Sequence, residues 1–417
     1  MNLSHETILS VNLNLLEKNF LFFKKRLNPE TKIIGVVKAY AYGYGDIEIS
    51  RKLEKIGVDA LWVADFEEGV NLRSAGITIP IMVANPGFKS YNYFLDYKLE
   101  PVIYSFELLN IFAKKPTSFN IHIKFNTGMN RYGFNSKDLP RLLAKLNQAK
   151  HLKVKSICSH LATSNLFRTY SYKYRNPYPV NHKNYIDENK RKTSFMISQL
   201  HKFNTICNEF VEKTAVKPMR HILNSEGVLH SFHSQEFSPS DTDDPKIKEV
   251  LQVNPVLNME LDMVRIGIGL YGSAQLENQL FDDTLRKLIQ IGSLESIVTQ
   301  VQYVKKNDCI GYNAGFESKD DMEIAIIPFG YADGLNRKLG NRVGGMFINN
   351  TLCEIIGEIS MDSCFIDVTN KNIKVGDKVE IFGENIKVNS IANQINTIPY
   401  EILSVLNRRI KRVYLNK

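Results

Sequence analysis

From residue 32 to residue 266 the chain repeats one pattern: a short apolar run, a turn, then a stretch with helical spacing of apolar positions. The runs fall at 32–38, 60–64, 79–83, 101–104, 120–125, 154–160, 221–224 and 263–266. Short, almost uninterrupted apolar runs suit strands covered on both faces, and strand–helix alternation implies parallel βαβ units. Helical spacing follows at 46–56, with Asp46 read as the N-cap, and at 139–146. About eight units over roughly 270 residues predict a closed (β/α)8 TIM-type barrel, with an open doubly wound sheet as the competitor. From about Ser293 the texture changes. Runs at 297–304, 324–327, 354–356, 365–368 and 378–382 read as strands, punctuated by turns such as Val375-Gly376-Asp377, without long helices. The predicted organisation is a barrel over 9–285 and a mostly β C-terminal domain over 286–417, to which residues 1–8 are a candidate addition.

Composition removes several classes. A 43% hydrophobic and 23% charged chain with 24 glycines and 14 prolines is neither collagen-like nor low-complexity. No apolar run reaches the roughly 18 residues a spanning helix needs, and the first residues lack a basic segment before an apolar core, so neither a membrane span nor a secretory signal is expected. The net charge of +9 is concentrated locally. Residues 166–192 carry Arg168, Lys173, Arg175, Lys183, Lys190, Arg191 and Lys192 against Asp187 and Glu188. A nucleic-acid binder would more often spread its charge over a face, so no nucleic-acid partner is expected. Five cysteines with no CxxC predict a reducing cytoplasm and no disulfide framework. Among nine histidines the nearest approach to a metal pattern is His230-Ser231-Phe232-His233, which lacks partners at ligand spacing, so no metal is expected. Segments 166–192 and 231–255 interrupt the βα rhythm, and as both follow strands they are expected at the barrel mouth.

Barrels of this type build their sites at the C-terminal strand ends. There the sequence places Lys38, Lys124 followed by the Asn126–Arg131 loop, His160, Asn224-Ser225, and Arg265 before Gly267-Ile268-Gly269. A lysine closing an apolar strand is unusual, and desolvation would lower its pKa and favour Schiff-base chemistry. Pyridoxal phosphate would use such a lysine and would need a phosphate cradle. Ser225 offers a hydroxyl, Gly267 and Ile268 offer backbone N–H groups, and Tyr42 a further donor.

At this point the chain resembles the alanine racemases. The segments that carry the resemblance are 36–45 around Lys38, 122–131 from His122 to Arg131, 159–163 around His160, Asn224-Ser225, 264–272 around Arg265, 330–334, Met361-Asp362 and 397–401 around Tyr400, in family order along almost the whole chain. The resemblance implies an isomerase that interconverts L- and D-alanine for peptidoglycan, built as a homodimer with shared active sites. It implies pyridoxal 5'-phosphate attached to Lys38 as a Schiff base. Tyr312 of the partner subunit would be the second acid/base. Tyr42, Asn224, Ser225, Gly267, Ile268 and Tyr400 would hold the cofactor around its phosphate. His160 would pack on the ring, and Arg265 would face the ring nitrogen. Arg131 and the backbone N–H of Met361 would take the carboxylate of a small amino-acid substrate. Lys124 aligns with a lysine that is often carbamylated, whose new charge would orient Arg131.

Racemisation removes a proton from one face of Cα and returns it to the other, which two opposed bases achieve without moving the substrate. Free tyrosine titrates near 10, so Tyr312 would need positive charge nearby. Tyr40, Tyr44, Asn126 and Ser360 depart from the family pattern without removing a catalytic group. With the two mouth segments they leave a broad-specificity amino-acid racemase as the near alternative. More distant alternatives are a decarboxylase on the same cofactor, a non-catalytic barrel that binds it, and a nucleic-acid-binding protein using 166–192.

Overall fold

A computed structural model describes residues 6–164, 182–230, 235–236, 240, 243–253, 256–257, 259–273 and 288–416. The first strand, β1 (Ile8–Asn12), precedes the barrel. The barrel strands are β2 (Lys32–Val36), β3 (Ala60–Val63), β4 (Ile81–Val83), β5 (Glu100–Ile103), β6 (Phe119–Lys124), β7 (Leu152–Cys158), β8 (Met219–His221) and the strand Met263–Ile266. They pair in parallel in chain order, and Met263–Ile266 returns to β2. The ring closes opposite β8, where the amides of Asp262 and Arg265 donate to the carbonyls of Arg220 and Leu223. β3, β4 and Met263–Ile266 are buried at every residue. A strand covered by helices outside and side chains inside has no solvent face, which is why these runs do not alternate.

The chain from Gly292 onward builds most of a nine-stranded sheet in which buried and half-buried residues alternate, as along Gly292–Ile297. One side faces water and the other the core, which gives the period of two. β1 belongs here too: it lies between Gly292–Ile297 and the last strand, Lys411–Leu415. The first and last described strands therefore sit side by side, a pairing that no local pattern announces.

Several local expectations need correction. Asp46 does not cap the helix Asp46–Lys55. The cap is Gly45, at φ +101°, and Asp46 is the first helical residue, accepting from the Asn71 amide at 2.9 Å. The run 297–304 is not one strand. It breaks at Val298-Thr299, so that Gly292–Ile297 pairs with Lys378–Phe382 while Gln300–Val304 pairs with Met322–Ile327. Part of each mouth segment is helix: 182–192 opens the helix His182–Thr214, and Pro245–Val253 forms another. Residues 165–181 and most of 231–244, including Arg168, Lys173, Arg175 and His233, lie outside the described residues. Lys190, at the described end of the basic run, pairs with Asp243 at 3.2 Å. All five cysteines are free. Among the described residues no helix is long and apolar enough to cross a membrane, and no group of three or more metal-ligating side chains occurs.

Candidate active site

Lys38 stands just past the end of β2, and the four residues after it are left-handed: Ala39, Tyr40, Ala41 and Tyr42 have φ of +53°, +57°, +50° and +54°. For L-residues that conformation costs roughly 1–2 kcal/mol each, so it persists only where surroundings impose it. Here Ala41 N donates to Val37 O and Gly43 N to Ala39 O. Glu68 braces the turn from the neighbouring βα unit, its two carboxylate oxygens accepting Ala39 N at 2.6 Å and Ala64 N at 2.7 Å. From the C-terminal domain, the Arg412 guanidinium donates to Gly43 O and Leu406 O, and the rings of Tyr40 and Arg412 lie in cation–π contact. The glycine-rich loop expected from sequence is thus a braced turn that carries Tyr42 inward.

Tyr42 is buried and packs on Tyr271 and Tyr400, at 4.9 and 5.8 Å between ring centroids. Among the described residues no hydrogen bond reaches its hydroxyl. That hydroxyl lies against Gly267, where a Cβ would come within 2.6 Å of it. Ser225 Oγ accepts from Gly267 N at 2.8 Å and Gly269 N at 3.3 Å. Asn224, rather than Ser225, caps the short helix Ser225–His230, accepting Gly227 N at 2.9 Å. Ile268 opens the turn Ile268–Tyr271. Tyr42, Tyr400, Ser225, Gly267 and Ile268 therefore converge on one corner of the mouth.

Arg265 is 6% exposed, and among the described residues no carboxylate pairs with it. It donates to Ser159 O at 2.7 Å, Ile222 O at 3.0 Å, His160 Nδ1 at 3.3 Å and His221 Nδ1, over the face of Trp62. His160 is held well below its usual value by burial first, then by the charges of Arg265, Arg131, Lys124 and Lys38, so it is a neutral imidazole. Lys124 is pushed down to about 8 by burial and by Arg265, Arg131 and Lys38, against a smaller opposing effect from Cys158. Lys38 is lowered by the protein crowded around it, then by Arg131 and Arg265, with Glu68 acting the other way. Arg131 is exposed on a loop shaped by Asn126, whose Oδ1 accepts Gly128 N and Asn130 N. Among the described residues no carboxylate forms an ion pair with Lys38, Lys124, Arg131 or Arg265.

Tyr312 and Met361 stand apart from this group, on the C-terminal domain. Tyr312 follows Gly311 (φ +77°) and is 66% exposed, and its side chain meets no hydrogen-bond or ring partner among the described residues. Met361 is 53% exposed. Sequence reasoning missed Glu68 and Gln199. Gln199 is fully buried and reaches from the long helix to His160 O and Ala162 N. Glu68 could have been noticed as an acid in the first turn of the helix after β3; Gln199 had no local signal.

Profiles of the alanine racemase N-terminal and C-terminal domains match residues 11–239 and 291–414. The alanine racemase of Methanococcus maripaludis is 31% identical over 99% of this chain and 100% of its own length. The chain belongs to the alanine racemase family. It is an enzyme of the isomerase class. The Helicobacter pylori (strain P12) alanine racemase is 30% identical, over 99% and 100% of the two chains. Among solved structures, the alanine racemase of Clostridium difficile 630 superposes with a TM-score of 0.80 at 26% identity, covering 99% of this chain and 97% of its own. That of Bartonella henselae, with covalently bound pyridoxal phosphate, gives 0.75 at 25%, covering 99% and 100%. The barrel with its mostly β second domain is the architecture of this racemase family.

Proposed function

We propose that this racemase interconverts L- and D-alanine with pyridoxal 5'-phosphate, in the cytoplasm, as a homodimer whose sites combine Lys38 of one protomer with Tyr312 of the partner subunit. The observation that carries the reading is the barrel mouth itself: four basic side chains gathered with no carboxylate in ion-pair contact among the described residues, beside hydroxyls and amides converging on one corner. A dianionic phosphate and a substrate carboxylate are the charges such a mouth lacks. The residues fit the cofactor. Tyr42 Oη has no hydrogen-bond partner among the described residues and lies against a glycine whose missing Cβ leaves room, and Ser225, Ile268 and Tyr400 flank the same space. Lys38, whose pKa is lowered by burial and then by Arg131, suits attachment to an aldehyde.

When bound, pyridoxal phosphate supplies the electron sink that makes the substrate's Cα–H acidic. The chain's residues do the rest. Lys38 holds or releases a proton on one face of Cα, and Tyr312 does so on the other. His160 would pack on the cofactor ring. Arg265 can only donate, so facing the ring nitrogen it would leave that nitrogen unprotonated and the electron sink weak, which would limit side reactions. Arg131 and Met361 N–H take the substrate carboxylate. With an amine near 8, Lys124 has a large neutral fraction at neutral to mildly alkaline pH; its attack on CO2 would release a proton and leave a carbamate that neutralises part of the cationic mouth and orients Arg131. D-alanine so formed would supply peptidoglycan. The test is D-alanine production from L-alanine by purified protein, with serine, lysine and arginine as competitors, and an absorbance spectrum before and after borohydride. A protein that binds no vitamin B6 derivative, or racemises none of these amino acids, overturns the reading.

A further inference from the structure

A file of buried polar side chains crosses the barrel interior, one from each of five neighbouring strands: Glu100 on β5, His122 on β6, Ser156 on β7, His221 on β8 and Arg265 on Met263–Ile266. His122, Ser156 and His221 are fully buried. Glu100 Oε2 lies 2.9 Å from His122 Nε2, His122 Nδ1 lies 2.7 Å from Ser156 Oγ, and Ser156 Oγ lies 3.0 Å from His221 Nε2. His221 Nδ1 meets the Arg265 guanidinium. A bulge at Ile121/His122 skips Lys155, so that Ser156 rather than the lysine faces His122. The file climbs toward the mouth, because Cys158, two residues beyond Ser156, is the residue that pairs with His221.

The chemistry at the two ends gives the file one direction. Arginine has no acceptor, so His221 Nδ1 must accept and the proton of His221 sits on Nε2. Nε2–H donates to Ser156 Oγ, the serine hydroxyl donates to His122 Nδ1, and His122 Nε2–H donates to the Glu100 carboxylate, which only accepts. Burial pushes Glu100 up, but the His122 hydrogen bond and Asn120 more than offset it and keep the carboxyl below its ordinary value. Burial first, then Arg265, His122 and Lys124, hold His221 well below its ordinary value and neutral. His221 is therefore fixed as the Nε2–H tautomer, and His122 presents its Nε2–H to Glu100.

We propose that Glu100, His122 and Ser156 are positioning residues that lock the His221 tautomer and thereby fix the Arg265 guanidinium at the barrel mouth. If the chain is cut, Arg265 alone opposes a proton on His221 Nδ1, and the fraction that carries it there points an N–H at a donor and displaces the guanidinium. The role toward the cofactor rests on the proposed function, whereas the tautomer lock does not.

The test uses Ser156→Ala, which empties the middle of the file, Ser156→Thr, which restores a hydroxyl, and Glu100→Leu, which removes the terminal acceptor. In apo wild type, 15N NMR of the imidazoles is expected to show a single neutral Nε2–H tautomer at His221. Ser156→Ala and Glu100→Leu should give His221 a measurable Nδ1–H population, and Ser156→Thr should return it to the wild-type form. In the reconstituted enzyme the two cutting variants should shift the bound cofactor's absorbance maximum and lower kcat by about tenfold with KM within about twofold, as loss of an outer hydrogen-bond partner does at other sites. A His221 tautomer unchanged in the cutting variants, even with a lowered Tm, overturns the proposal and leaves the file as core satisfaction. If Ser156→Ala does not fold, Glu100→Leu decides alone. A protein that binds no pyridoxal phosphate but shows the tautomer change refutes the functional reading and keeps the lock.

Discussion

The two halves of the proposed site are built in opposite ways. Around Lys38 the barrel gathers buried or half-buried groups that constrain one another: a left-handed turn braced by Glu68, an arginine held by backbone carbonyls, and cations that depress each other's protonation. Tyr312 stands on the second domain at 66% exposure with no partner on its side chain among the described residues. The barrel half is preorganised by its own fold; in the proposed homodimer the surroundings of Tyr312 would come from the other protomer.

The contrast can be broken from either side. Lys38→Ala should have the largest effect: racemisation falls by at least about 10³-fold in both directions and the borohydride-sensitive absorbance band is lost. Tyr312→Phe should keep that band and lose about 10²–10³-fold in kcat/KM, equally in both directions because the equilibrium constant is 1, while exchange of the Cα proton with solvent deuterium survives only for the enantiomer whose proton Lys38 removes; loss of exchange for both enantiomers would remove the assignment of faces. Gly267→Ala pushes a methyl onto the Tyr42 hydroxyl and should weaken cofactor affinity by about 10–100-fold with little change in Tm, read by titrating apoenzyme. Tyr42→Phe should remove part of that penalty.

The smallest expected effect is a pH dependence of stability from Lys124. Its folded-state pKa is lowered from 10.5 to about 8, so between those values the unfolded chain binds more protons than the folded one, and stability rises with pH across the window. Lys124→Met should therefore be more stable than wild type below pH 8, by on the order of 1 kcal/mol once partial exposure is allowed for. The advantage should fade toward pH 10.5. Apoenzyme melts in CO2-free buffer measure this, and a constant difference across that range would mean that burial and the cationic neighbours do not lower the Lys124 pKa in solution.

Much of the mouth was legible in advance because a strand's end is fixed by the run that precedes it. Lys38, Lys124, His160, Ser225 and Arg265 each follow an apolar run, and a closed parallel barrel brings such ends to one rim. Features that depend on partners distant in sequence were not legible. The run at 297–304 looks continuous, yet its two halves answer to different neighbours, and β1 was hidden because its partners lie some 280 and 400 residues away. Asp46 has the right type for a cap, but the backbone turn before it needs a positive φ, and Gly45 takes the place.

The sequence by itself determined the order of the eight barrel strands, the change from a parallel barrel to a mostly β second domain, and which chemical groups lie at strand ends. Periodicity and residue type are local, so they survive without a fold. Only the tertiary structure decided that four consecutive residues after Lys38 turn left-handed, that Glu68 and Arg412 brace them, and that Glu100 reaches Arg265 through three side chains. Each of these depends on distances between strands far apart in the chain, which are set when the ring closes and the second sheet docks against it.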